Sequence, residues 1–170
     1  MIIGITGKSG SGKSTYANKL GREYSLFVIH IDDVAHKVLD EEDIKDKLIQ
    51  RFGKDVIKDN IVDRKYLGDL VFENRHKYKE LSDVIWIRMK NIIDNMIKEH
   101  SNVILDWILL PHTHYWYMCD KTILMKVDED VRKQRVLERD MITQEYLDKR
   151  DKACIDYSNL SFDEIITLTE

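Results

Sequence analysis

The sequence predicts an α/β fold in which a parallel sheet is covered by helices on both faces. Three observations predict it: short apolar runs that end in carboxylates, intervening stretches with apolar residues at helical spacing, and a glycine-rich turn directly after the first run. Ile2 to Ile5 reads as a buried strand, and Ser14 to Leu20 as a helix that Gly21 can close in the left-handed conformation. A second strand, Leu26 to Ile31, ends at Asp32 and Asp33. Val103 to Leu105 ends at Asp106, Ile123 to Val127 ends at Asp128, and Ile165 to Leu168 is the last strand expected. The clearest helical face is Leu81, Val84, Ile85, Met89, Ile92, Ile93 and Met96. Ligands of such sheets bind at the C-terminal strand ends, which is where these aspartates fall.

Composition narrows the partners. The chain of 170 residues, 43% hydrophobic, suffices for one domain, and 27 Lys and Arg against 31 Asp and Glu leave no basic excess to hold a nucleic-acid polymer. A phosphate ligand must then be met by local geometry. Cys119 and Cys154 form neither a disulfide framework nor a zinc-binding spacing, which points to the cytoplasm. Met1 to Ile5 is too short for a signal-peptide core and no run approaches a membrane span, so a soluble, unprocessed protein is expected.

Gly7, Lys8, Ser9, Gly10, Ser11, Gly12, Lys13 and Ser14 satisfy GxxxxGK[ST] between a predicted strand and a predicted helix. Glycines let successive backbone N–H groups turn toward anionic oxygens, and the following helix offers them its positive N-terminus. Lys13 reaches the β- and γ-phosphates, and Ser14 ligates Mg²⁺. The chain has no NKxD to read guanine and no DxxG after the third strand, so a GTPase switch is excluded and ATP is the expected triphosphate.

In sequence order, the chain resembles the dephospho-coenzyme A kinase family, relatives of the nucleoside monophosphate kinases. The resemblance runs through IIGITGKSGSGKST, then Val28 to Leu39 with Asp32, Ala35 and His36 in register, then Phe52-Gly53, Val62-Asp63-Arg64, Leu67 and Phe72. It continues through Val103 to Asp106 with Leu109-Leu110, and through Arg135 to Asp140 with Thr143 and Arg150. It implies a five-stranded parallel core in a single domain over 1–170, a helical substrate-side region over about 36–100, and a lid over about 135–152. Departures fall mostly on the substrate side: His30 for a first aspartate, Trp86-Ile87 for His-Pro, Ile108 for a proline, Pro111-His112 for Phe-Glu and, after the lid, Cys154 for a glutamine.

The resemblance puts Asp32 on the catalytic acidic position, where it serves as base or acceptor anchor; the plainer role is a helix cap, which Asp33 can fill instead. Asp106 ends its strand as a Walker-B-like carboxylate and is the second Mg²⁺ candidate, with a strand-end turn residue as the alternative. Arg135 and Arg139 lie four apart and are candidates for the triphosphate, with Arg150 beside them; pairing with nearby acids would produce the same pattern. Thr15 belongs with the ATP-binding loop, Lys8 faces either the γ-phosphate or water, and Arg64, Leu109 and Leu110 are acceptor-side candidates. The pair His112 and His114 lacks a third ligand, and the aromatic run Tyr115-Trp116-Tyr117 reads first as packing. These readings converge on an Mg²⁺- and ATP-dependent kinase acting on a small nucleotide-like acceptor, dephospho-coenzyme A first. A nucleoside or deoxynucleoside monophosphate is the second acceptor, and a nucleotide-binding partner protein without activity is the rival class.

Overall fold

A computed structural model describes residues 1–169. Its framework divides into two compact units, Met1–Ile31 with Met96 onward, and Asp32–Asn95.

The first unit holds a five-stranded parallel sheet. Its strands are β1 (Ile2–Thr6), β2 (Phe27–His30), β5 (Val103–Asp106), β6 (Lys121–Val127) and β7 (Glu164–Leu168), in the order β2-β5-β1-β6-β7. β1 is therefore central. It pairs with β5 from Ile2↔Val103 to Ile5↔Asp106, and with β6 from Ile3↔Lys121 to Thr6↔Leu124. Unbroken apolar runs suit strands covered on both faces: Val103, Ile104 and Leu105 are all buried, and Ile3, Ile5, Ile104, Ile123 and Met125 form one core with Ala17. β7, at the edge, leaves Ile165 and Thr167 exposed and packs Ile166 and Leu168 inward. Asp163 anchors it by accepting hydrogen bonds from the Thr122 backbone N–H and hydroxyl, both at 2.7 Å.

Helix α1 (Lys13–Tyr24) follows the glycine-rich turn. Gly21, expected to close it, lies inside it instead; a Cβ there would come within 2.6 Å of Val28 Cγ2, so its smallness lets α1 approach β2. The left-handed closing position belongs to Ser25, at φ +54°, whose N–H donates to the Gly21 carbonyl. Beyond β6, Asp128 caps α6 (Glu129–Asp140) by accepting from the N–H groups of Asp130 and Val131, and Thr143 caps α7 (Gln144–Lys152) through the Tyr146 N–H. The stretch read as a lid thus holds the end of α6, a short link and α7.

The second unit contains most of α2 (Ile31–Leu39), then α3 (Glu42–Phe52), α4 (Arg64–Phe72) and most of α5 (Arg75–Glu99). It also contains a hairpin that periodicity did not reveal, β3 (Ile57–Lys58) with β4 (Ile61–Val62). Asp59 and Asn60 both have positive φ, as a tight two-residue hairpin turn demands. Lys45, nearly buried, bridges Glu42 at 2.6 Å and the Asn60 carbonyl at 3.0 Å, tying α3 to that turn. The predicted face of α5 is the covered one, with Met89 and Ile93 fully buried.

Ser25 gives a direct test of the corrected helix end. A non-glycine residue held in the left-handed region is strained, so Ser25→Gly raises stability by about 0.5–1 kcal/mol, read as an upward shift in Tm. Gly21→Ala, by contrast, lowers it.

Candidate active site

The loop from Gly7 to Gly12 leaves the central strand at the point where chain connections diverge to opposite sides of the sheet, the usual ligand position in open parallel sheets. Gly10 and Gly12 both adopt φ +84°. At Gly10 a Cβ would sit 2.8 Å from the Arg132 carbonyl oxygen and 2.7 Å from Val136 Cγ2, so only glycine lets the loop lie against α6. The N-cap of α1 is Gly12, which has no side chain to cap the helix, so the N–H groups of the first turn can meet an anion. Lys13 is nearly buried, while Ser14 and Thr15 are exposed on the first turn.

A buried guanidinium fixes the loop from behind. Arg132 Nη1 donates to the Ser9 carbonyl at 3.0 Å; Nε and Nη2 reach Glu129 at 3.0 and 2.6 Å, and Nη2 also donates to Asp151 on α7. Burial works against this charge, but the bonds to Glu129 and Asp151 more than offset it and hold the Arg132 pKa above its ordinary value. The same bond to Arg132, helped by Lys8, holds Glu129 down at about 2. Removing one partner of a buried ion pair costs about 3–5 kcal/mol, so Arg132 is structural in the strong sense. Sequence reasoning passed it over. The spacing Arg132, Val136, Arg139 places an arginine on the inward stripe of α6, and that was the available signal.

Two further arginines meet at the same loop residue. Arg139 Nη2 and Arg150 Nη2 donate to Ser9 Oγ at 3.1 and 3.3 Å. Asp140 pairs with both, accepting from Arg139 Nε at 2.6 Å and from Arg150 Nη1 at 3.0 Å. Burial raises the Asp140 carboxyl, but the two guanidinium groups outweigh it and leave its pKa below the usual range. Arg135 lies exposed on α6, one turn before Arg139. Lys8, whose partner the sequence left open, pairs with Glu129 at 3.3 Å.

Asp106 ends β5 between β1 and β2, and it is only 3% exposed. Its Oδ2 accepts from His30 Nδ1 at 2.7 Å, while its buried Oδ1 has no hydrogen-bond partner among the described residues. Among those residues no three His, Cys, Asp or Glu side chains gather as a metal cluster. One free carboxylate oxygen and one exposed hydroxyl do fit Mg²⁺, which takes few protein ligands and completes its shell with water and phosphate oxygens.

Other predicted positions need correction. α2 begins at Ile31, so Asp32 and Asp33 both lie within its first turn and neither is its cap; there they favour the positive helix end. Leu110 is fully buried, and a Cβ on Gly4 would come within 2.9 Å of its Cδ2, so it packs the core and does not face an acceptor. Leu109 is half-buried. Arg64 opens α4 and pairs with Asp40 at 3.6 Å. Tyr115 is fully buried, Trp116 meets Phe162 edge-on and Tyr117 is exposed, in keeping with packing. Tyr157 donates to the Ile108 carbonyl at 2.9 Å, and burial raises its pKa. A cleft of about 580 Å³ lies beside the loop between Lys8, Val127, Glu129 and Tyr157, but neither Lys13, Ser14 nor Asp106 lines it.

A central parallel strand running into this loop, with arginine-bearing helices folded onto it, defines a P-loop kinase. Comparison with known proteins narrows the class. The model of the family described as dephospho-CoA kinase matches residues 1–160, and the chain belongs to that family of ATP-using phosphotransferases. A dephospho-CoA kinase of Fusobacterium nucleatum is 32% identical over 152 residues, 88% of this chain and 78% of the relative. The solved structure of TT1252 from Thermus thermophilus superposes with a TM-score of 0.82 at 25% identity, over 100% of this chain and 89% of that one. A dephospho-CoA kinase from Campylobacter jejuni shares the fold, with a TM-score of 0.56 at 23% identity over 99% and 88% of the two chains. No helix among the described residues is long and apolar enough to cross a membrane.

The Glu129 pair predicts an acid limb. Because its folded pKa lies below its ordinary value of 4.5, its stabilisation is complete above about pH 4.5 and is lost as pH falls toward about 2. Urea midpoints between pH 6 and 2 should therefore fall less steeply for Glu129→Gln than for the wild type, the variant already being less stable at pH 6.

Proposed function

We propose that this protein transfers the γ-phosphoryl group of Mg²⁺-bound ATP to the 3′-hydroxyl of dephospho-coenzyme A. One arrangement carries the proposal: Arg139 and Arg150 converge on Ser9 of a phosphate loop whose following helix is capped by a glycine, Gly12. Family membership supplies the acceptor.

In this reading the N–H groups of residues 7–14 cradle the β-phosphate, Lys13 spans the β- and γ-phosphates, and Thr15 borders the site. Ser14 and Asp106 would hold Mg²⁺, which when bound would neutralise phosphate charge during the transfer. Arg139 and Arg150, pre-oriented by Asp140, exchange the Ser9 hydroxyl for γ-phosphate oxygens, and Arg135 approaches the nucleotide from the same helix. The exchange needs little reorganisation, because both guanidinium groups already stand at the loop. Asp32, two residues beyond β2, accepts the proton of the attacking hydroxyl. Arg64 and Leu109 serve the acceptor. The two unpaired thiols, Cys119 and Cys154, suit a reducing cytoplasm.

A coupled ADP-release assay over a panel of acceptors tests the assignment. Dephospho-coenzyme A should give a kcat/KM well above those of nucleoside monophosphates, and Lys13→Ala should cut turnover by about 10²-fold or more without lowering Tm. Preference for a nucleoside monophosphate would overturn the acceptor; no turnover with any acceptor would overturn the kinase.

Asp32 is tested separately. Asp32→Asn keeps shape and loses the proton acceptor, so kcat should drop by about 10²- to 10⁴-fold with ATP affinity nearly unchanged. Equal turnover in variant and wild type would remove Asp32 from the chemistry.

A further inference from the structure

His30 has no part in the mechanism above, yet its ring occupies a distinctive place. Nδ1 donates to Asp106 Oδ2 at 2.7 Å, since an ionised carboxylate offers only acceptors. Nε2 faces Asn18 Oδ1 on α1 at 3.1 Å. Asn18 stands one turn beyond Ser14, so the two share a face of α1. The ring thus links the two groups assigned to the metal, one directly and one through the helix that carries it.

We infer that His30 is a positioning residue for the metal side of the phosphate site: it commits Asp106 Oδ2 to its own ring, leaves Oδ1 for the ligand, and fixes that oxygen relative to the Ser14 face of α1. The inference rests on the proposed Mg²⁺ roles of Asp106 and Ser14. Strand pairing alone does not require this bond. β2 and β5 are already joined by backbone hydrogen bonds in the register Phe27↔Val103 to His30↔Asp106, so the side-chain link adds orientation to strands that are already held. Nearly buried Asp106 with one orphaned oxygen is the group that gains from it. A carboxylate free to rotate would present either oxygen and would bind a cation less well, as outer-sphere partners of metal ligands generally show.

Calorimetry separates the metal contribution from that of the nucleotide, with no turnover involved. ADP is titrated into the protein in EDTA and again with Mn²⁺, and the ratio of the two affinities is the metal increment. His30→Leu should shrink that increment by about 10- to 100-fold while metal-free ADP affinity stays at the wild-type value. His30→Asn, which keeps an N–H near the Nδ1 position, should restore the increment to within about threefold, and Asn18→Ala should produce an intermediate loss if His30→Leu does not fold. A wild-type increment in His30→Leu, or an equal loss in His30→Leu and His30→Asn, overturns the positioning role. Asp106→Asn is the control for the underlying reading. If it too keeps the full increment, Asp106 is not a metal ligand and the inference falls with that assignment; if it loses the increment while His30→Leu keeps it, only the role of His30 is wrong.

Discussion

The carbonyl oxygen of Ser9 is held by a guanidinium that water hardly reaches, and the phosphate site depends on that bond. A phosphate loop works because its N–H groups point inward, which turns its carbonyls outward and obliges them to find donors elsewhere. Arg132 is such a donor, and it is itself secured by Glu129 in its own helix and by Asp151 in the next. Loop, α6 and α7 are thereby joined through one side chain. The close approach at Gly10 follows from the same contact, since Arg132 reaches the loop only if nothing larger than hydrogen separates the backbones.

The Ser9 hydroxyl of the anchored loop is met by two further arginines. Arg139 and Arg150 rest on Ser9 Oγ and share Asp140 as counter-ion. An internal carboxylate keeps two like charges together that would otherwise repel, at the place where a more highly charged phosphate is expected. Arg132 is buried among its partners, while Arg139 is exposed.

The Asp32–Asn95 unit is organised by different means. Its helices close on an apolar interior that includes Ile44, Leu48, Val56, Leu67 and Val71, and its polar fixings are local: the Asp63 cap of α4, the Arg88 pair with Glu41 and the Lys45 bridge to the hairpin turn. The departures from the family's usual residues that lie here, such as Trp86-Ile87, fall on a helix whose covered face is otherwise regular.

By itself, the sequence determined the strands of the parallel sheet, the phosphate loop and the family, but not the β3–β4 hairpin. These are written in contiguous residues: buried strands as apolar runs, and the loop as glycines at fixed spacing before Lys13. Adjacency across the chain was decided only by the tertiary structure. Arg132 looks like any arginine of a charged helix until Ser9 and Asp151 are brought to it, while Arg135, one turn before Arg139 on the same helix, stays exposed. Gly21 reads as a terminator until Val28 is seen packed against it, and Leu110 reads as a site residue until Gly4 is found above it. His30 meets Asp106 because β2 and β5 are neighbours in the sheet although far apart in the chain. Local propensity is set by a residue and its near neighbours, whereas the partner of a buried charge is set by which strands and helices pack together, and that is a property of the folded chain as a whole.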